Sequence, residues 1–428
     1  MFATILPLSA LLSGVALLLL GGGLLGTLLG VRGSIEGYSD QVLGLIMSGY
    51  FVGFLLGTFV APAAIRRMGH IRAFSFFGAF FAGTVLVHAI WVDPLGWGLL
   101  RIGTGIAVVG LYTVIESWLN ATGDGSQRGR IFAVYMAINL LALAMGQQLL
   151  RLAPAESFVL FSLIAILVCA AMLPVAATRM TQPVMHATER IGVRKVFRMA
   201  PTAAAGALFS GLSIGAFWGL GPVYAGRLEL GIEQVAMFMT VAIIGGAVLQ
   251  WPIGRFSDSG DRRHTLGVAG AGAALVAGLA MWFTGPETML LYVIFFVYGG
   301  LSFAVYPVAV AHLMDHVRPD DLLPACSTVL LLHGFGAALG PALAGAVMER
   351  FGPQAFPGYL MLVHLVLAIY VLRRLLVKQH ADHGDAQFHP MLRTSPMAME
   401  MIPEVEASLD DASPDTTSVD AAAVDAKP

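Results

Sequence analysis

Charged side chains are scarce in this 428-residue chain, since Asp, Glu, Lys and Arg make up 12% of it, against roughly 25% in soluble domains. Such a composition excludes an ordinary water-soluble globular protein. Only two cysteines occur, Cys169 and Cys326, and both lie in apolar stretches, which excludes a disulfide framework or a thiolate metal site. Lysine occurs only at Lys195, Lys378 and Lys427, none of them inside a long apolar stretch. A retinal-type pigment, which needs a buried lysine, is therefore excluded as well.

Apolar sequence is what the chain has in abundance, with 57% hydrophobic residues and a mean hydropathy of +0.79. A helix needs about 20 apolar residues to cross a bilayer, and twelve stretches meet that requirement. They are 5–30, 42–64, 73–92, 96–119, 131–150, 157–177, 201–224, 234–253, 265–283, 289–314, 322–348 and 358–377. Because lipid cannot satisfy open backbone groups and barrel strands alternate in polarity, all twelve are predicted to be transmembrane helices.

The distribution of Lys and Arg predicts the orientation of these helices. Loops after even-numbered stretches hold sixteen such residues, and loops after odd-numbered stretches hold four. Since Lys and Arg mark the cytoplasmic side, we expect both termini to be cytoplasmic and the protein to lie in the cytoplasmic membrane.

The longest internal connection, 178–200, divides the chain into an N-terminal bundle, 1–177, and a C-terminal bundle, 201–378. Its basic and apolar piece 191–198 fits either a segment lying on the anionic inner leaflet or a solvated loop. The tail, 379–428, contains ten acids and two bases, which leaves 22 bases and 16 acids, a net charge of +6, on the rest of the chain. Because the tail lacks hydrophobic periodicity, we predict that it is disordered and cytoplasmic.

The two bundles contain similar motifs, which indicates an internal repeat. The loops after the second and eighth stretches both combine glycine with charge, at Pro62, Arg66, Arg67 and Gly69 in one and at Gly254, Asp258, Asp261, Arg262 and Arg263 in the other. The fourth and tenth stretches each have a glycine seven residues before a tyrosine, at Gly105 and at Gly299.

These loops resemble the Gly-x-Leu-x-Asp-Arg-x-Gly-Arg-Arg signature of the major facilitator superfamily of secondary transporters. The eighth-stretch loop matches it at Gly254, Asp258, Arg262 and Arg263, and the earlier loop at Arg67 and Gly69, with Arg66 in the Asp position. Two further motifs are similar to those of the family: Arg101 followed by Gly105, and Gly336 followed by Gly340, Pro341 and Gly345. The resemblance covers about residues 1–378. It implies an all-α membrane fold of two pseudo-symmetric six-helix bundles around a central cavity.

The resemblance also implies a central pocket lined by the first, fourth, seventh and tenth helices. The candidates with aromatic rings, hydroxyls, amides or charge are Ser13, Arg101, Tyr112, Ser213, Trp218, Tyr298 and Tyr306, with Asn139 and Gln147 from the fifth helix. Such a pocket suits an amphipathic small molecule.

Two permanent charges are predicted to lie in the hydrocarbon zone, at Arg101 and Glu116, whereas Arg373 and Arg374 are counted with the cytoplasmic end of the last stretch. A charge in hydrocarbon costs from about 2.5 kcal/mol upward, so each is expected to face a cavity or a partner. Arg101 either attracts an anionic group, tunes a proton carrier or snorkels to the outer interface. Glu116 either loads a proton or reaches cytoplasmic water, and His312 and His333 are further candidates for proton transfer.

Loops that the internal repeat is expected to place opposite each other carry charges of opposite sign. In the first pair of loops Arg66 and Arg67 are opposed to Asp315, Asp320 and Asp321, and in the second Asp258 and Asp261 are opposed to Arg128 and Arg130. We hypothesise that two ion-pair clusters close the cytoplasmic mouth when the pocket opens outward. Exposed pairs contribute only about 0 to 1 kcal/mol each, so they would bias the equilibrium without locking it.

The sequence therefore predicts a transporter that moves a small organic solute by alternating access, with proton-coupled and facilitative transport both left open. A channel and a sensor without transport are the alternatives, and an intramembrane enzyme is disfavoured because no nucleophile or metal motif occurs. We expect no cofactor, metal or nucleic acid, and a monomer whose partners are the solute, protons and the lipid bilayer.

Overall fold

The computed structural model describes residues 2–122, 126–177, 183, 191–282, 288–318, 321–377, 387–391 and 396–401. Within these residues the regular structure is helical. The α-helices are α1 Phe2–Ile35, α2 Asp40–Met68, α3 His70–Ile90, α4 Pro94–Thr122, α5 Ser126–Gln148, α6 Phe158–Ala177, α7 Val193–Met199, α8 Pro201–Arg227, α9 Ile232–Asp258, α10 Arg262–Ala280, α11 Thr288–Met314, α12 Leu322–Phe351 and α13 Ala355–Val377. A 3₁₀ turn, Leu149–Leu152, follows α5, and a 3₁₀ segment, Pro396–Met401, lies in the tail.

The twelve predicted stretches coincide with α1 to α6 and α8 to α13, so the predicted fold class is confirmed. Among the described residues, eleven of these helices are long and apolar enough to cross a membrane. The remaining one, α10, is rich in Ala and Gly and begins with two arginines, which lowers its hydropathy. It nevertheless packs against α11 and α13 within the bundle.

The N half, α1 to α6, and the C half, α8 to α13, repeat the same packing. The pair α2 and α4 corresponds to α9 and α11, and the pair α3 and α6 corresponds to α10 and α13. Glycines allow the first correspondence. A Cβ on Gly53 would overlap the carbonyl oxygen of Ile102, and a Cβ on Gly245 would overlap that of Phe296. Small residues let membrane helices approach this closely.

The two halves contact each other tightly at the end where the short loops after α1, α5, α8 and α12 lie, which we call the distal end. Here α2 packs against α12 and α5 against α9. The backbone N–H of Ala342 donates to Ser48 Oγ over 3.1 Å, and Gln148 Nε2 donates to Thr240 Oγ1 over 2.6 Å. We call the other end, which carries the linker, the linker end.

Three charged contacts also join the halves at the distal end. Arg227 Nε lies 2.9 Å from Asp40 Oδ1, and the backbone N–H of Asp40 donates to Glu349 Oε2 over 2.9 Å. A more exposed pair joins Arg151 to Glu233 over 3.1 Å. The distal end is therefore sealed by polar as well as by apolar contacts.

The linker piece 191–198 contains the short helix α7. Val196 is buried, and α7 packs on α8 and α12. Thr328 Oγ1 donates to the carbonyl of Ile191 over 2.7 Å, and Lys195 pairs with Asp321 over 2.9 Å. The segment is thus a helix docked on the C half rather than a solvated loop, and its exposed Val193 and Phe197 remain compatible with contact to a leaflet.

The prediction of a disordered tail is wrong for the parts of it that the structure describes. Met391 is buried, as are Ala398, Met399 and Met401 of the segment Pro396–Met401, which packs on α4, α5 and α12. The tail lacks periodicity, but single apolar side chains can still bury themselves in a groove that the helices have already formed. The rest of the tail lies outside the described residues.

Candidate functional site

A cavity lies between the halves at mid-depth, on the linker side of the distal seal. Its empty volume is about 920 Å³, part of it open to solvent. Four helices of the N half, α1, α2, α4 and α5, form most of its wall together with Phe81 of α3, and α8 closes it from the C half. The lining residues are Leu18, Leu19, Gly22, Gly23, Leu25, Gly26, Thr27, Tyr50, Phe51, Phe81, Arg101, Thr104, Val108, Tyr112, Leu143, Trp218 and Gly219.

Arg101 is the charged residue of this wall. Its guanidinium carbon lies 4.5 Å from the ring centroid of Tyr50 on α2, within the range of a cation–π contact. The residue is only 6% exposed. Arg101 is therefore held inside the bundle by a neighbouring helix, which favours the cavity interpretation over snorkelling to the outer interface.

The amide of Gln147 forms a polar contact between α5 and α1. Its Nε2 donates to the carbonyl of Gly23 over 3.1 Å, and its Oε1 accepts a hydrogen bond from Thr27 Oγ1. Because Thr27 and Gly23 both line the cavity, this contact fixes polar backbone and hydroxyl groups at its wall. Gln147 thus supports the cavity from behind rather than lining it.

Two of the predicted aromatic candidates reach the cavity. Tyr112 lies on α4 three turns beyond Arg101 and lines the same wall. Trp218 lines the cavity from α8 and stacks on Phe303, with ring centroids 6.1 Å apart. The cavity accordingly combines one cation and a few hydroxyls with a mainly aromatic and aliphatic surface.

Five predicted candidates lie elsewhere. Ser13 is on an exposed part of α1, and Asn139 Nδ2 donates to the carbonyl of Tyr135. Ser213 is close to Ser302, which in turn lies 3.5 Å from the hydroxyl of Tyr298, so these two candidates belong to a buried cluster inside the C half. Tyr306 packs against His333, with ring centroids 4.5 Å apart.

Sequence reasoning missed Tyr50 and Thr104, which lie on α2 and α4 beside Arg101 in the wall. The glycines between Gly21 and Gly26 have different surroundings, since a Cβ on Gly21 would contact α6 and a Cβ on Gly23 would contact α5. At Gly22 and Gly26 nothing lies within 4 Å of a Cβ. These two glycines open space for the cavity, and a run of glycines was the available signal.

Glu116 is fully buried in the N half, on the linker side of the cavity. The phenol of Tyr135 on α5 donates a hydrogen bond to its Oε1 over 2.8 Å. A buried carboxyl with a phenol neighbour can hold a proton, since either protonation state of the carboxyl can be hydrogen-bonded.

The two candidate histidines lie on the C half. His312 is buried near the end of α11 and stands against His316, with ring centroids 4.3 Å apart. His333 lies on α12 and lines a small apolar pocket with Phe51, Leu55 and Thr58 of α2. His333 is therefore at the interface between the halves, and His312 is at the linker end.

The loop motif of the C half forms a compact charged cluster. Arg262, only 4% exposed in its side chain, pairs with Asp315 over 2.6 Å and with Asp258 over 2.9 Å. Asp261 pairs with Arg263 over 2.6 Å. Although burial alone would raise the pKa of Asp261, the hydrogen bonds from the side chain and backbone N–H of Arg263 lower it. The carboxylate thus stays charged at neutral pH.

The corresponding position of the N half is neutral. At the start of α3, His70 forms a hydrogen bond of 2.8 Å with Ser117 of α4, as Arg262 at the start of α10 contacts Asp315 after α11. Gly69, with a φ of 79°, joins α2 to α3 as a single residue. Only glycine adopts such a backbone conformation readily, which explains why Gly69 remains in this motif although the acid is absent.

None of the ion pairs given so far connects a proposed gate residue of the N half to one of the C half. Arg66, Arg67 and Arg130 are exposed. Asp315 contacts Arg262 within the C half, Asp321 contacts Lys195 of the linker, and Asp320 lies outside the described residues. Since this conformation is sealed at the distal end, the gate hypothesis, which concerns the opposite state, stays a prediction, as do Arg128 and Gly254 as parts of it.

Comparisons with known proteins identify the family. The model of the Major Facilitator Superfamily matches residues 11–321 and, in a second overlapping match, residues 203–399. The chain is 27% identical over 382 residues to the MFS-type transporter YcaD of Escherichia fergusonii, covering 89% of this chain and 98% of that one. It is also 27% identical to the MFS-type transporter Ent638_1421 of Enterobacter sp. strain 638, with 90% and 98% covered.

Solved structures of transporters have the same fold. The nucleoside transporter NupG superposes with a TM-score of 0.72 at 17% identity, covering 88% of this chain and 100% of that one. A bacterial homologue of the human lysosomal transporter Spinster, in an inward-facing and unoccupied conformation, gives a TM-score of 0.68 at 13% identity, covering 95% and 98%. Together with the repeated bundles and the sequence matches, these likenesses lead to one assignment. The chain belongs to the major facilitator superfamily, as a multi-pass membrane protein that works as a secondary transporter and not as an enzyme.

Proposed function

We propose that the cavity binds a small amphipathic organic solute with an acidic or strongly hydrogen-bond-accepting group, which Arg101 attracts. The buried guanidinium in the cavity wall is the observation that supports this substrate class. A charge in the low-dielectric interior of a membrane protein interacts strongly with an opposite charge. The apolar and aromatic remainder of the wall would bind the body of the solute.

The linker end is proposed to face the cytoplasm. The loops at this end contain sixteen of the twenty Lys and Arg residues assigned to loops, and such an excess marks the cytoplasmic side. With this orientation the two halves are closed against each other on the outer side and open on the cytoplasmic side. The solute site would then be reached from the cytoplasm.

The substrate proposal can be tested with a thermal-shift screen of the purified protein against metabolite and drug collections, followed by flux measurements in proteoliposomes. R101A should abolish the thermal shift and lower flux of a hit about tenfold or more, equivalent to ~1.4 kcal/mol of binding. R101K should retain only part of the thermal shift and of the flux, because lysine keeps the charge but loses the planar group that stacks on Tyr50. R350A, which removes an exposed cation at the distal end, is the control. An anionic hit whose flux is the same in R101A and R350A would contradict the proposal.

Proton coupling through Glu116 is the second part of the proposal. Its support is the burial of the carboxyl and the hydrogen bond from Tyr135. With a hit in hand, flux should rise with an imposed pH gradient in the unmodified chain, and E116Q should remove this dependence while retaining exchange. Y135F, which removes only the phenol donor, should shift the pH at which the dependence appears. Flux that ignores the gradient in the unmodified chain would indicate facilitated transport, and flux without saturation would indicate a channel.

A further inference from the structure

The described parts of the acidic tail lie between the two halves at the linker end. Phe388 contacts the C half, where its ring occupies the space of a Cβ on Gly254 and its backbone N–H donates to Asp258 Oδ1 over 2.8 Å. The segment Pro396–Met401 packs against α4 and α5 of the N half and α12 of the C half. Asn120 Nδ2 at the end of α4 donates to the carbonyl of Met397 over 3.1 Å.

The tail occupies a place where the halves have separated. α5 and α9 are joined near the distal end by Gln148 and Thr240, but toward the linker end a groove opens between them. The groove has an empty volume of about 1200 Å³, part of it open to solvent, and His389 and Pro390 of the tail line it. Met399 and Met401, at most 1% exposed, are buried nearby against the helices.

These contacts have a mechanical consequence for a protein that works by alternating access. To open toward the distal end, the halves must come together at the linker end, and the helices there must fill the space that the tail now fills. The tail and the closed mouth therefore compete for the same volume. A segment that binds one of two conformations shifts the equilibrium toward that conformation.

We propose that the two described pieces of the tail, 387–391 and 396–401, act as a built-in inhibitor that docks in the open mouth at the linker end and must leave before the transporter can turn outward. This inference rests on the proposed alternating-access function but not on the identity of the solute. Phe388 lies against the C half, and the segment Pro396–Met401 contacts α4 and α5 of the N half and α12 of the C half, so that docking holds both halves in their present arrangement.

The test uses the full chain in nanodiscs, with Cys169 and Cys326 replaced by serine. Two reporter cysteines are compared, N120C beneath the tail and S48C in the distal seal, each labelled with a water-soluble maleimide. F388D places a charge beside Asp258, and M399D places one in a buried site, so both should release the tail. S408D adds the same charge to a part of the tail outside the described residues and is the control.

Release should raise the labelling rate of N120C about tenfold, and that of S48C by a smaller factor, because the freed protein visits the outward-open state more often. S408D should leave both rates unchanged. Unaltered N120C labelling in F388D and M399D would show that the tail does not dock. If the labelling rate rose at N120C but not at S48C, the tail would cover Asn120 without affecting the conformational equilibrium. That result would also overturn the proposal.

Docking itself is checked by a disulfide. In the same background, G254C with F388C should cross-link under mild oxidation, because the two residues are in contact. F388C paired with Q41C, at the distal end, should not. Neither labelling nor cross-linking depends on a transported solute, so a failure of the substrate proposal and a failure of the tail proposal give different results.

Discussion

At the scale of single residues, glycines set the distance between the paired helices of each half. Gly53 and Gly105 do so for α2 and α4, and Gly245 and Gly299 do so for α9 and α11, since a Cβ at any of them would overlap a backbone carbonyl oxygen of the facing helix. Backbone cannot move aside as a flexible side chain can. These positions therefore tolerate no side chain without a shift of an entire helix.

Alanine at these glycines is expected to destabilise the protein. G53A and G245A should each lower the free energy of unfolding by about 1 to 3 kcal/mol, the usual range for overpacking, and lower the thermal midpoint in detergent. G83A is the matched control, because nothing lies within 4 Å of a Cβ there. Since alanine favours a helix over glycine by roughly 1 kcal/mol, G83A should be neutral or stabilising. Equal midpoints for G53A and G83A would refute the packing argument.

The related positions at the starts of α3 and α10 should respond differently to truncation. R262A removes the cation from Asp315, whose side chain is 7% exposed, and loss of one partner of a buried pair costs about 3 to 5 kcal/mol. H70A removes a neutral hydrogen bond to Ser117, which is worth about 1 kcal/mol. Thermal unfolding of the two variants should therefore show a much larger loss for R262A, and the opposite order would contradict the charged-cluster assignment.

Chemistry restricts where some candidate site residues can lie, and helical phase decides the place of the others. A buried cation such as Arg101 has few places to lie other than a cavity wall, and Tyr112 and Trp218 line the same cavity. Ser213 and Tyr298 lie instead in a buried cluster inside the C half. Membrane helices are apolar on all sides, so the sequence alone does not indicate which side faces the other half.

At the scale of elements, the seal between α2 and α12 determines which end is closed. The carbonyl of Pro341 lies against Gly44, and Gly345 lies against the carbonyl of Asp40. Asp40, 10% exposed in its side chain, adds a charged contact to Arg227. Such a partly buried pair is stronger than an exposed one because water screens it less.

Weakening this charged contact should shift the protein toward a state that is open at the distal end. D40N keeps an acceptor but removes the charge, and should raise maleimide labelling of S48C several-fold. E233Q neutralises the pair with Arg151, which also joins the halves at the distal end but is exposed. Because exposed pairs contribute about 0 to 1 kcal/mol, E233Q should change the rate little. A larger effect of E233Q than of D40N would show that the more buried of the two ion pairs is not the stronger one.

The elements themselves were predictable, and the docked tail was not. Length and apolarity located twelve long helices of the described residues within a few residues of their ends, because the hydrocarbon thickness leaves little choice. The tail has an acidic composition typical of disorder. Phe388, Met399 and Met401 nevertheless pack against surfaces that exist only in the folded bundle. Composition indicates whether a segment folds by itself, but it does not indicate whether the segment binds in a groove formed by other parts of the chain.

At the scale of the whole molecule, the twelve crossings predicted from the sequence and the excess of Lys and Arg at the linker end together predict cytoplasmic termini. Epitopes fused before Met1 and after Pro428 should both be protected from antibody in intact cells treated only to open the outer envelope, and exposed after lysis. A cysteine replacing Gln354, in the loop after α12, should label from outside in the intact cells. Termini on opposite faces would contradict the twelve-crossing arrangement.

The cavity wall is unequal although the scaffold is symmetric. The N half provides nearly all of it, and the C half contributes Trp218 and Gly219 of α8. The lining residues of the N half all lie between Leu18 and Leu143, so most of the proposed recognition surface is encoded in the first part of the gene. Exchange of that part between relatives should transfer cargo preference, whereas exchange of the C half, which contributes Trp218 and Gly219, should transfer little of it.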